Sequence, residues 1–141
     1  MELQPTAAGS HRWQVFVAIQ RGDGEAALRE AELEPNEHYR HFELALAHYA
    51  CGDRTAGDES LAELIARDRN VMAYQIAEVY AWRGEKDKAF EWLQISLANH
   101  DTGLLSLLID PLMQGLRHDA RYNDVLAKVG LPPRFSAGNK I

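Results

Sequence analysis

Gly52 and Gly84 each close an apolar run of helical periodicity, and each is followed by a second such run. A residue just past a helix end commonly adopts the left-handed conformation, which glycine reaches without a Cβ penalty. Two amphipathic runs joined by one glycine therefore predict a helical hairpin. The two glycines stand 32 residues apart, and Gly22 precedes Gly52 by 30. Both spacings fall in the range of about 20–50 residues that marks stacked repeats. A unit this short cannot bury its apolar face alone, so hairpin must pack on hairpin, and the product is a surface rather than an enclosed cavity.

The helices can be placed from apolar spacing and caps. From about 11 to 21, Trp13, Phe16, Val17 and Gln20 recur at helical spacing, and Gly22-Asp23-Gly24 stops that run. Residues 25–33 form a second helix of good formers, ended by Pro35. Asn36 is a candidate N-cap for a helix to Cys51, with Phe42, Ala45, Leu46 and Tyr49 on one face. After Gly52-Asp53, Leu61, Leu64 and Ile65 mark a helix to Arg67. Asn70 is read as the cap of the next helix, which reaches Arg83, and Gly84 turns the chain into residues 85–98. No stretch alternates apolar and polar residues for long enough to make a strand, so the chain is all-α.

The last third breaks the period. Leu104 to Ile109 is almost wholly apolar and predicts a short buried helix. Asp110-Pro111 and Asp119 are helix starts, and Tyr122, Val125, Leu126 and Val129 share a face before Gly130. The expected organisation is a disordered segment 1–10, one domain over 11–131 and a flexible tail 132–141. The domain has three hairpins to residue 103 and capping helices over 104–130, which cover the apolar face that the last hairpin would otherwise expose.

Composition limits what such a surface can meet. The 141 residues are 46% hydrophobic and 26% charged, in the range of folded globular chains. The net charge of −6 and the lack of a Lys/Arg run argue against nucleic acid and anionic membrane as partners. No apolar run approaches the length of a membrane span, and the first ten residues lack the pattern of a secretory leader, so the expectation is cytoplasmic. The single cysteine, Cys51, excludes an internal disulfide and reads as a small buried hydrophobe.

The segment from Asn70 to Asp101 resembles a tetratricopeptide repeat. The small or apolar residues of that family's first helix fall on Ala73, Ile76 and Ala77, and its aromatic falls on Tyr80. Its turn glycine matches Gly84, and its second-helix alanine and apolar residue match Ala89 and Leu93. The preceding repeat matches at Leu44, Ala45, Gly52 and Leu61 but departs at His48 and Gly57. The first matches at Val15, Gly22 and Ala27 but departs at Gln14 and Ala18. The resemblance covers residues 10–103. Residues 74–131 also resemble the C-terminal repeat region attached to bacterial adenylate cyclases and winged-helix transcriptional regulators. The run Ala77–Glu85, Asp110-Pro111-Leu112, Leu116-Arg117 and Gly130-Leu131-Pro132 carry that likeness.

The resemblance implies a short right-handed solenoid of antiparallel hairpins whose first helices line a concave groove. It places Trp13 and Phe16 in that groove, then Tyr39, Phe42, Glu43 and Tyr49, then Tyr74, Gln75, Glu78 and Trp82. Such a groove is aromatic and acidic. It implies a non-catalytic module that takes a protein or peptide segment, neutral to basic and carrying an apolar anchor. The alternative is self-association as a homodimer, because Trp13, Phe16 and Val17 have no preceding helix to cover them. The carboxylate clamp of some relatives needs Lys and Asn where this chain has Phe16, Leu46 and Glu78.

Chemistry-bearing patterns are weak. His38, His41 and His48 make a stripe on one helix but no second-helix ligand accompanies them, so they read as surface histidines. Glu37-His38 followed by His41 lacks the imidazole spacing of the metalloprotease motif. The expectation is no enzyme, no catalytic residue, no metal and no cofactor.

Overall fold

The computed structural model describes residues 10–132, which form seven α-helices and two 3-10 helices with no strand among them. Ser10 lies in the first helix rather than in a disordered lead, and the expectations for residues 1–9 and 133–141 fall outside the described residues. The chain divides into two compact units, 1–69 and 70–141, each taken by itself below.

The first unit holds α1 (Ser10–Gln20), α2 (Gly24–Leu33), α3 (Glu37–Ala50) and α4 (Arg54–Asp68). Consecutive helices pack on one another, and α1 also reaches α3. Val15, Phe16 and Ile19 of α1, Ala27 and Ala31 of α2, Phe42 and Leu46 of α3 and Leu61 and Leu64 of α4 form its core. Burying each large side chain contributes about 1.5–3 kcal/mol, and the alanines let the helix axes approach.

One turn is used repeatedly. Gly22 N–H donates to Ile19 C=O (3.1 Å) and Asp23 N–H to Ala18 C=O (2.9 Å). Gly52-Asp53 closes α3 in the same way onto Tyr49 (3.0 Å) and His48 (2.9 Å). These are paired C-terminal bonds of the Schellman type, and they require the positive φ of 76° and 84° at the two glycines. In both turns the following aspartate also starts the next helix. Asp23 Oδ1 accepts from Ala26 N–H and Asp53 Oδ1 from Ala56 N–H, each at 3.0 Å. Gly24 has a different task. A Cβ there would lie 2.8 Å from the Cys51 backbone nitrogen, so its hydrogen lets the start of α2 abut the end of α3.

In the second unit α5 (Ala73–Arg83) and α6 (Lys86–Ala98) are joined by the same turn, with Gly84 N–H on Ala81 C=O and Glu85 N–H on Tyr80 C=O. Two 3-10 helices, Thr102–Ser106 and Pro111–Leu116, and α7 (Ala120–Val129) follow. The second 3-10 helix packs on α5 and α7 packs on α6. Leu112, Met113 and Leu116 join Ile76, Leu93, Tyr122, Val125 and Leu126 in the core. Asp110 and Asp119 act as N-caps, and Gly130 ends α7 at a φ of 91°.

Three expectations are corrected. Asn70 does not cap α5, which begins at Ala73 with Met72 in the cap position and no side-chain cap bond. Asn70 instead offers its carbonyl to Asn99 Nδ2 at 3.3 Å. The run 104–109 is not a continuous buried helix: Leu104 and Leu107 face inward, but Leu105 and Ile109 are 64% and 77% exposed. Asp101 fixes this, since Oδ1 accepts from Gly103 N–H (2.8 Å) and Oδ2 from Tyr74 N–H (3.2 Å). The segment is thereby tied to the start of α5 as a short 3-10 turn, whose threefold repeat can bury only one side. Cys51 is exposed, because it follows the last turn of α3 outside its apolar stripe. Partial desolvation and the carboxylates of Glu25, Asp53 and Asp23 hold its thiol above the ordinary value, the opposite of an activated nucleophile.

Candidate interaction surface

On α3 the groove residues implied by the resemblance split into a packed floor and partly exposed ends. Phe42 and Leu46 are fully buried, whereas Tyr39 and Tyr49, three residues beyond each, remain half-buried. Each tyrosine ring carries a cation. The Arg12 guanidinium lies 5.3 Å from the centre of Tyr39, and that of Arg54 lies 5.8 Å from Tyr49. On α1, Phe16 is buried and meets Phe42 edge to face with centroids 6.2 Å apart. Trp13 meets Phe16 at 5.5 Å in the same manner and stays 55% exposed. The first unit therefore brings Trp13, Phe16 and Phe42 into one aromatic string.

Glu43 is fully buried, so it adds no negative charge to the surface. Burial, and next to it the charge of the neighbouring Glu34, raise its carboxyl to about 9, which makes it neutral at physiological pH. A side-chain hydrogen bond with the Glu34 carboxyl adds to the preference for the protonated form. Glu34, also buried, accepts from Asn36 N–H at 2.9 Å, and Arg40 donates to the Glu34 carbonyl at 2.8 Å.

On α5 the implied face is occupied from within the second unit. Tyr74 is buried and its hydroxyl donates to Asp110 Oδ2 at 2.7 Å. Burial first, then the charges of Glu78 and Asp110, hold that phenol far above its ordinary value. Gly103 lies directly on the Tyr74 ring, where a Cβ would sit at 2.9 Å. Glu78 is buried as well, while Gln75 and Trp82 are half-buried. Tyr74 is therefore part of the joint between α5 and the 3-10 segments, and Glu78 is buried in the same unit.

The histidine stripe is used for packing contacts. His38 Nδ1 lies 2.7 Å from Asp68 Oδ1, joining the start of α3 to the end of α4. His41 Nε2 lies 3.9 Å from Glu37 Oε1. Among the described residues no group of three or more His, Cys, Asp or Glu side chains is placed to hold a metal ion. No helix among them is long and apolar enough to cross a membrane.

Sequence reasoning singled out Trp13 and Val17 but missed the groove they line. It lies between α1 and α2, encloses about 550 Å³ and is bordered by Gln14, Arg21, Ala26 and Glu30 as well. The signal was available: Trp13 and Val17 on the outer side of α1 and Arg21 in the turn directly after it recur every fourth residue.

Comparison with protein-family models, with curated proteins and with solved structures found no match for this chain.

Proposed function

We propose that this chain is a non-catalytic protein–protein interaction module built of tetratricopeptide-like hairpins. Its partner is a peptide or protein segment with an aromatic or aliphatic anchor. The observation that carries the reading is the α3 stripe, where Tyr39 and Tyr49 stay half-exposed over the buried Phe42 and Leu46. Rigid, partly exposed aromatics on a packed floor present contact area at low entropic cost. The setting is that of an accessory domain in a bacterial, cytoplasmic signalling or regulatory protein.

The sign of the partner is argued from the net charge of −6, which favours neutral to basic segments through long-range steering. Glu43 and Glu78 contribute nothing local to it, being buried.

The test uses the tagged chain as bait beside the double variant Tyr39→Ala/Tyr49→Ala, with circular dichroism to establish that both are helical. The module reading expects proteins captured by the parent and released by the variant. Capture of the same proteins by both would remove the α3 stripe from the account.

A further inference from the structure

We propose that the groove between α1 and α2 receives the same groove of a second copy of this chain, in a two-fold dimer centred on Val17. The inference rests on the reading of the chain as an interaction module, but it names the partner for a face distinct from the Tyr39–Tyr49 stripe.

Trp13 and Val17 of α1 lie four residues apart. Arg21, four further on in the turn that ends α1, donates its N–H to Val17 C=O at 3.1 Å and lines the same groove. The three therefore share one exposed stripe with Val17 at its midpoint. Trp13 is 55% and Val17 48% exposed, and both line the groove with Ala18 and Ala26. A large exposed aromatic beside an exposed β-branched residue is surface that a partner covers with gain. The inner side of this hairpin already packs on α3, so the outer groove is the face left open.

The pairing of a cation with an aromatic ring argues for a second copy as occupant, against a mutual repulsion of two chains of net charge −6 that keeps the dimer weak. In an antiparallel pairing of two α1 helices about Val17, Trp13 of each copy lies beside Arg21 of the other. A guanidinium over an indole is attracted by the ring's negative face, and two-fold symmetry forms the pair twice. Arg21 is free for that role, with no ion pair among the described residues. The neighbouring carboxylates are committed: Asp23 caps α2, and Glu30 Oε1 lies 2.8 Å from His11 Nδ1. Trp13 is braced by the edge of Phe16, so little side-chain freedom is lost on docking. Ala18 and Ala26 keep the floor low enough for a helix to approach. The stripe is thus complementary to itself: aromatic at one end, cation at the other, valine at the centre. A contact along a single 11-residue helix is small, and the dimer is correspondingly weak and concentration-dependent.

Sedimentation equilibrium across a micromolar-to-millimolar series, with circular dichroism on every variant, tests this. The parent dimerises. Val17→Glu sets two like charges on the axis and weakens association at least tenfold. Trp13→Ala and Arg21→Glu do the same. The exchange Trp13→Arg/Arg21→Trp keeps both cation–aromatic pairs and restores the dimer. In a Cys51→Ser background, Val17→Cys on the axis gives a disulfide-linked dimer under oxidised glutathione. A chain that stays monomeric throughout the series overturns the proposal, whether the groove is filled from within the chain or by another protein. So does a dimer that is indifferent to Val17→Glu or that fails to cross-link through Val17→Cys. Because Tyr39 and Tyr49 are untouched, the same variants run as bait show separately whether partner capture survives.

Discussion

Glu43 carries the least expected chemistry of any residue in the chain. Its position on the α3 face suits a groove carboxylate, yet it is fully buried beside Glu34. The unfolded chain releases this proton near the ordinary value of 4.5, while the folded chain keeps it until about 9. Between those values the native state binds more protons than the unfolded state, so stability falls as pH rises, by about 1.4 kcal/mol per unit at most. Glu43→Gln keeps the shape and the neutral hydrogen-bonding group without the titration. Denaturant unfolding at pH 6 and pH 8.5 should show a clear loss in the parent and a much flatter profile in Glu43→Gln. Equal slopes would mean that Glu43 is ionised in the fold. At the same scale, Tyr74 is a structural tyrosine: its hydroxyl on Asp110 and its ring under Gly103 hold the 3-10 segments to α5. Glu78→Lys would bury an ammonium and report on folding rather than on partner charge.

At the scale of elements, the hairpin turns divide into two chemical kinds. Asp23 and Asp53 accept a hydrogen bond from the first turn of the helix they start, whereas Glu85 makes no side-chain cap bond before α6. Asp53→Ala should therefore cost about 0.5–2 kcal/mol, and Glu85→Ala clearly less. Thermal unfolding of the two variants distinguishes them, and equal losses would contradict the capping account. This level was the most legible in the sequence. The turn glycines, the caps at Asn36, Asp110 and Asp119 and the helix spans other than the start of α5 and the run 104–109 follow from local rules that operate within a few residues. What covers a helix face was not legible, because it depends on distant chain. Tyr74 is buried by Asp110, 36 residues on, and by Gly103. Gly24 reads as part of the break that stops the first helix but serves a close approach to Cys51, a contact no local pattern encodes. The run 104–109 was overread for a related reason: apolar content predicts burial, but a five-residue 3-10 helix offers only one inward side.

At the scale of the whole molecule, the account is that an acidic, all-helical chain of hairpins presents partly exposed aromatics to a neutral or basic protein segment. Under that proposal its net charge of −6 would steer such a segment toward it at low ionic strength, over a range that shortens to a screening length of about 3 Å at 1 M salt. Affinity then comes from the anchor, which must desolvate the rims of Tyr39 and Tyr49 without disturbing the buried Phe42 and Leu46. The most direct measurement is a selection from a random peptide library displayed on phage against the immobilised chain, counter-selected on the folded double variant Tyr39→Ala/Tyr49→Ala. The account predicts enriched peptides with an aromatic or aliphatic anchor flanked by neutral or basic residues, binding the parent at least tenfold more tightly than the variant. Acidic peptides, peptides that bind both proteins equally, or no enrichment above background would contradict it.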